Sequence, residues 1–221
     1  SSVFDRCYSF PSFYEELCKE GLKIDNPVAY CKYSVFLIFN IQDPTNSNYL
    51  KAKQYLEKSI QKGYTMSYFL LARLMYNVFK KNDEAYKLAQ EGTNKGNNYS
   101  KCLLGYFVFK EIGVQKDQKK GLSLMLESGA EDYYKKFSTE IALYFLKVVG
   151  DNEQAFKWFE KAFDLSKTKA SINNYALCFL NGIGVIKNIE KAKEIFKIGA
   201  DQGDSNCKYH LNFILEEEKK K

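Results

Sequence analysis

The sequence predicts an all-α protein, a right-handed superhelix (α-solenoid) of about five helical hairpins with a capping helix at each end. Two observations predict it. Leu, Ile and aromatic residues recur at three-to-four-residue spacing in a chain of 221 residues with only three prolines, which is the helical period. One five-position pattern also recurs along the chain at a nearly constant interval.

The pattern is small, bulky, bulky, small, turn. It is clearest at Ala192, Ile195, Phe196, Gly199 and Gly203. It reads Ala52, Tyr55, Leu56, Ser59, Gly63 and then Ala85, Leu88, Ala89, Gly92, Gly96. The third copy is Gly121, Leu124, Met125, Ser128 with Asp132 at the turn, and the fourth is Ala155, Trp158, Phe159, Ala162, Ser166. The turn positions lie 33, 36, 34 and 37 residues apart, the period of stacked helical hairpins. Offsets 0, 3, 4 and 7 share one helix face. Each such helix, the B helix, therefore carries small residues at the ends of a stripe and large ones between them. A glycine inside a helix costs roughly 1 kcal/mol relative to alanine, so Gly199 needs a neighbour lying close against it. Gly63, Gly96 and Gly203 fall where a helix end favours the left-handed conformation.

A second helix, the A helix, precedes each of the later B helices, over Ser67–Phe79, Ser100–Lys110, Phe137–Val148 and Ala170–Asn181. Each has a small residue at its middle: Ala72, Gly105, Ala142 and Ala176. From that residue to the first small residue of the B helix is 13, 16, 13 and 16 residues, so short and long connections alternate. The long ones read KEIGVQKD (110–117) and NGIGVIKN (181–188). Three segments are expected: 1–26 with a capping helix over 11–21 that ends at Gly21, the repeats over 27–203, and 204–221 with a last helix over 205–215 and a frayed tail EEEKKK. Caps are needed because each hairpin buries its apolar face only against its neighbours.

The last repeat, with Ala176, Gly182-Ile183-Gly184-Val185, Lys191-Ala192, Phe196 and Gly199-Ala200 before Gly203, resembles a Sel1-like repeat, whose usual pattern has a Gly-x-Gly-Val loop between paired helices. The third shares Gly105, Gly113-Val114 and Lys116-Asp117, with Glu111 in place of the first loop glycine. The second and fourth lack that loop and are closer to the related tetratricopeptide repeat. The resemblance covers roughly residues 27 to 215 and is weakest in the first repeat, where IQDPTNSNY (41–49) is irregular. It implies a non-enzymatic adaptor or scaffold that holds a protein or peptide partner on the concave wall lined by the A helices. An accessory subunit of a membrane-associated complex, in ER quality control or cell-wall synthase activation, is the alternative within the family. Some relatives are secreted, tie each hairpin with a cysteine pair and bind β-lactams. The regular pair is missing here.

The chain offers little chemistry. Its single histidine, His210, lies between Tyr209 and Leu211 with no nucleophile motif nearby. Gly182-Ile183-Gly184 follows a helix, whereas a phosphate loop follows a strand. Glu15-Glu16 and Glu216–Glu218 read as solvated charge, so no catalytic residue and no cofactor is assigned. Cys7, Cys18, Cys31, Cys102, Cys178 and Cys207 are scattered, without zinc or redox spacing. They read as small buried hydrophobes, in keeping with a reducing, cytoplasmic compartment. The chain begins at Ser1, which leaves a processed ER-lumenal or secreted form, or a fragment, as alternatives. No run is long enough to span a membrane. The net charge is +6, but only two of 33 basic residues are Arg, which argues against base and phosphate reading. An RNA-binding superhelix is the third alternative.

By tetratricopeptide register, the resemblance places Met66, Phe69, Arg73, Tyr76 and Asn77 on the wall in repeat two. In repeat three it places Tyr99, Tyr106, Phe109 and Lys110 there, in repeat four Leu143 and Lys147, and in repeat five Leu177 and Asn181. Asn77, Lys110, Lys147 and Asn181 share one position and form a polar ladder suited to acidic groups.

Overall fold

The computed structural model describes residues 12–39 and 46–220. The secondary structure of the described residues is helical, and the chain divides into two compact units, Ser1–Tyr133 and Tyr134–Lys221.

In the first unit, α1 (Ser12–Lys23) leads into three hairpins: α2 (Pro27–Phe39) with α3 (Asn46–Gln61), α4 (Met66–Asn77) with α5 (Asn82–Asn94), and α6 (Asn98–Lys110) with α7 (Gln118–Glu127). The short α8 (Glu131–Tyr134) follows. The second unit holds a 3-10 turn (Lys135–Phe137), α9 (Ser138–Tyr144) and a π-helical turn (Phe145–Val149). It continues through α10 (Asn152–Ser166), α11 (Lys169–Asn181), α12 (Ile189–Asp201) and α13 (Ser205–Lys219). This succession of helical hairpins is the α-solenoid class.

The small residues do what the pattern implies. The mid-helix residue of each A helix and the first small residue of its B helix are fully buried together: Ser34 with Ala52, Ala72 with Ala85, Ala142 with Ala155, Ala176 with Ala192. In the third hairpin both are glycine, and the helices close further. A Cβ on Gly105 would lie 2.6 Å from the Gly121 carbonyl oxygen and 2.8 Å from the Met125 nitrogen. The second bulky position supplies the core, where Leu56, Met125, Phe159 and Phe196 are buried. Each of these stabilises the fold by about 1.5–3 kcal/mol relative to leaving it exposed.

At three joints the last small residue of the B helix meets the first turn of the next A helix. Ser67 donates to the Ser59 hydroxyl at 2.7 Å, and Ser59 donates to the Pro27 carbonyl at 2.6 Å. At Gly92 a Cβ would fall 2.8 Å from the Cβ of Ser100, and at Gly199 2.8 Å from the Cβ of Cys207. The same turn then closes these three joints: the amide five residues on bonds back to the carbonyl of Ser59, Gly92 or Gly199, with Gly63, Gly96 and Gly203 in the left-handed region. Asn97, Asp117, Asp151, Thr168, Asn188 and Asp204 then cap the next helices by accepting from a backbone N–H three residues on.

Five expectations are corrected. Repeat three does not turn at Asp132: α7 ends at Glu127 and Gly129 takes the left-handed turn at φ 66°, so Asp132 sits in α8. Repeat four turns at Lys167 (φ 40°), one residue beyond Ser166. Its A helix is broken into α9 flanked by a 3-10 turn and a π-helical turn, where a single helix over 137–148 was expected. The final EEEKKK is no frayed tail through Lys219, because Glu218 accepts from Lys193 of α12 at 2.9 Å and Glu217 from Lys220 at 2.6 Å. Finally, α1 does not end at Gly21. Gly21 lies inside it, in close contact with the Ala29 side chain, and Asp25 (φ 59°) takes the turn, so α1 has the register of a B helix.

Candidate functional site

In the first unit, the A helices α2, α4 and α6 bring the wall residues together, though not all of them face outward. Phe69 is fully buried. Its ring packs on Tyr99 of α6 at 5.5 Å and edge-on to Tyr133 of α8 at 5.0 Å, while Tyr99 and Tyr133 lie 6.3 Å apart. Phe109 is buried as well, so both are corrected from wall to core. Phe69 was misplaced because α8, which the repeat register does not include, inserts Tyr133 against it, and the Phe109 backbone packs against Gly121 of α7. Burial pushes the Tyr133 hydroxyl above its ordinary pKa. Tyr99 is half-buried and donates to Asp132 at 3.0 Å.

Arg73 lies over two of these rings, its guanidinium carbon 5.5 Å from the Phe69 centroid and 5.9 Å from that of Tyr133. Both distances are within cation–π range, so the rings favour the guanidinium at this place. Met66, Tyr76 and Tyr106 are half-buried, Tyr76 tilted on Phe107 at 5.4 Å. Asn77 and Lys110 are exposed at the C-terminal ends of α4 and α6.

Between α2 and α4 the wall opens into an apolar cleft of about 60 Å³, lined by Val35, Ile38, Phe39, Leu70, Leu74 and Val78, with Arg73 and Asn77 as its polar members. The α2 side of this cleft is missing from the sequence-based wall. Ala29 and Ser67 sit 38 residues apart in equivalent positions, and the same offset carries Arg73, Tyr76 and Asn77 onto Val35, Ile38 and Phe39. That register was readable in the sequence, but the irregular connection at 41–49 hid it. The helices α2, α4 and α6 carry Lys32, Arg73, Lys101 and Lys110 and no Asp or Glu, while α8 brings Asp132 against Tyr99.

In the second unit, Leu143 and Leu177 are half-buried and Lys147 and Asn181 are exposed. Two residues join them that the sequence reading omitted. Tyr209 and Phe213 of α13 are 67% and 53% exposed, at the positions of Asn173 and Leu177 one repeat later. Continuing the A-helix register beyond Gly203 finds them, since Cys207 falls where Ser171 does.

His210 stacks on Phe196 at 5.1 Å. Cys18, Cys31, Cys102, Cys178 and Cys207 are free and buried, and burial pushes the Cys31 thiol up to about 11 and that of Cys102 to about 12. Cys7 lies outside the described residues. Gly184 packs its backbone onto the Asn152 carbonyl group at the start of α10, which gives the Gly-x-Gly-Val loop a packing role. Among the described residues, no group of three His, Cys, Asp or Glu is placed to hold a metal ion. Among them, no helix is long and apolar enough to cross a membrane.

A succession of helical hairpins defines a helical-repeat protein. The Sel1 repeat family profile matches residues 28–64, 99–135, 142–167 and 169–204, more than half of the chain, so the chain belongs to the Sel1 repeat family. That family consists in general of protein-interaction scaffolds, and its fold is typically non-catalytic. The α4/α5 hairpin falls between the matched stretches but keeps the same joints. The chain is similar to the crystal structure of a Sel1 repeat protein from Oxalobacter formigenes, at 21% identity and TM-score 0.71, covering 90% of this chain and 58% of that one. It is also similar to a protective antigen of uropathogenic Escherichia coli with an SLR fold, at 16% identity and TM-score 0.59, covering 92% and 52%. It thus spans little more than half of either, and at these identities the likeness is one of fold. No curated protein matches the sequence.

Proposed function

We propose that this protein is a non-enzymatic adaptor that holds a partner protein or peptide on the A-helix faces of its repeats. The observation that supports this is the apolar surface left at wall positions: the α2/α4 cleft in the first unit, and Tyr209 and Phe213 in the second. Aromatic and Arg side chains in such settings carry a large share of binding energy in protein interfaces. Arg73, Lys110, Lys147, Asn77 and Asn181 supply the polar contacts, and Met66, Tyr76, Tyr106, Leu143 and Leu177 the half-buried contact area.

Affinity capture from native extract tests the reading with three baits: wild type, Arg73→Glu/Lys110→Glu, and Tyr209→Asp/Phe213→Asp, each checked for folding by circular dichroism. A partner held by wild type and released by one pair places binding on that unit's wall. Partners retained by both variants would mean that the loops or the B helices bind, and the wall reading would be wrong.

A further inference from the structure

Resting on that reading, we infer that α8 is an internal occupant of the first unit's wall. The place it fills takes a partner segment in which an acidic residue precedes an aromatic one, and that segment binds by displacing α8.

The contacts of α8 carry this. Between α3 and α4, α5 and α6, α10 and α11, and α12 and α13, a short turn without a helix in it leads from the B helix to the next A helix. After α7 the chain instead inserts the four residues of α8, entered through the left-handed Gly129 (φ 66°) and left through the 3-10 turn Lys135–Phe137. Two consecutive residues of this insert then meet three residues of the expected wall. The Tyr133 ring lies edge-on to Phe69 at 5.0 Å, 6.3 Å from Tyr99, and within 5.9 Å of the Arg73 guanidinium. Asp132 accepts a hydrogen bond from the Tyr99 hydroxyl at 3.0 Å. The wall thus holds an aromatic ring by edge-to-face and cation–π contact, and the carboxylate before it by a hydroxyl donor. At the same A-helix position as Phe69, Tyr209 of α13 is 67% exposed; over Phe69 the rings of Tyr99 and Tyr133 close. The insert itself is lightly held, because Tyr133 is its one buried residue and Glu131 and Asp132 are exposed. A segment of another protein with Asp or Glu before Tyr or Phe offers the same two groups to the same three residues.

Fluorescence anisotropy on the whole chain, with a labelled peptide of the sequence GAEDYYKKF taken from residues 129–137, tests this. The peptide should bind Tyr133→Ala, whose wall is vacated, about tenfold or more tighter than wild type, where α8 competes for the same place. Alanine at the first tyrosine of the peptide should abolish binding, and alanine at its aspartate should weaken it. Hydrogen exchange on wild type gives a second readout, since the Tyr133 N–H bonds to the Ala130 carbonyl at 2.9 Å. That amide should exchange about tenfold or more faster than the core amides of α4, through an opening confined to α8. A peptide that binds neither protein or both equally, a Tyr133 amide as protected as those of α4, or loss of the helical circular dichroism in Tyr133→Ala makes α8 a fixed part of the core and overturns the inference. If that happens while captured partners are still released by Arg73→Glu/Lys110→Glu or Tyr209→Asp/Phe213→Asp, the adaptor reading stands without a displaced α8.

Discussion

Gly199 of α12 and Cys207 of α13 touch so closely that no side chain fits at position 199. A Cβ there would lie 2.8 Å from the Cys207 Cβ, closer still to its sulfur, and 3.1 Å from a methyl group of Ile172. The same joint recurs as Ser59 against Ser67 and Gly92 against Ser100, and it sets how closely one hairpin approaches the next.

Gly199→Ala should therefore destabilise the second unit by about 1–3 kcal/mol, the usual cost of overpacking, despite alanine's better helix propensity. Cys207→Gly in the same chain removes the opposing atoms and should recover part of the loss. Urea unfolding of the two single variants and the double variant measures the coupling, and strictly additive losses would show that the two residues do not share this contact.

At the equivalent joint, the Ser100 hydroxyl is the buried side-chain polar atom without a hydrogen-bond partner among the described residues. Ser100→Ala should be neutral or stabilising by up to about 1 kcal/mol, whereas Ser67→Ala breaks a bond to Ser59 and should cost about 1 kcal/mol. Thermal melts of the two variants decide this by their opposite shifts.

Glycines of positive φ divide into two kinds. Gly63 (φ 85°) faces open space, so Gly63→Ala meets only backbone strain, about 1 kcal/mol. Gly184 (φ 65°) also presses on the Asn152 carbonyl group, its carbon 2.6 Å from where a Cβ would lie, so Gly184→Ala should cost about 3 kcal/mol. Equal losses in denaturant titration would remove the packing role given to the Gly-x-Gly-Val loop.

Burial raises the Cys31 and Cys102 thiols to about 11 and about 12 from an ordinary 9.0, so between those values the folded chain binds protons that the unfolded chain has released. Stability is then fully present below pH 9 and falls as pH rises from 9 towards 11–12. Buried Tyr133, shifted in the same direction, adds to that fall at still higher pH. Melting temperatures from pH 7 to 11 should decline beyond 9, less so in Cys102→Ala. The same burial predicts that Cys31 and Cys102 react with a thiol reagent at pH 8 only after unfolding.

The sequence by itself determined the hairpin repeat. Small residues at Ala52, Ala85, Gly121, Ala155 and Ala192 are a local requirement of helix-to-helix contact, and a local requirement leaves a periodic trace. Tertiary structure alone decided which wall residues reach solvent. Phe69 and Arg73 lie one helical turn apart, yet Tyr133, 64 residues beyond Phe69 in the chain, buries the first and stacks under the second. It also decided that α7 stops at Glu127, with the left-handed turn at Gly129, and that Glu216–Lys219 stays helical, because Lys193 grips Glu218 from another helix. Exposure depends on what arrives from distant sequence, and a repeat pattern carries no record of that.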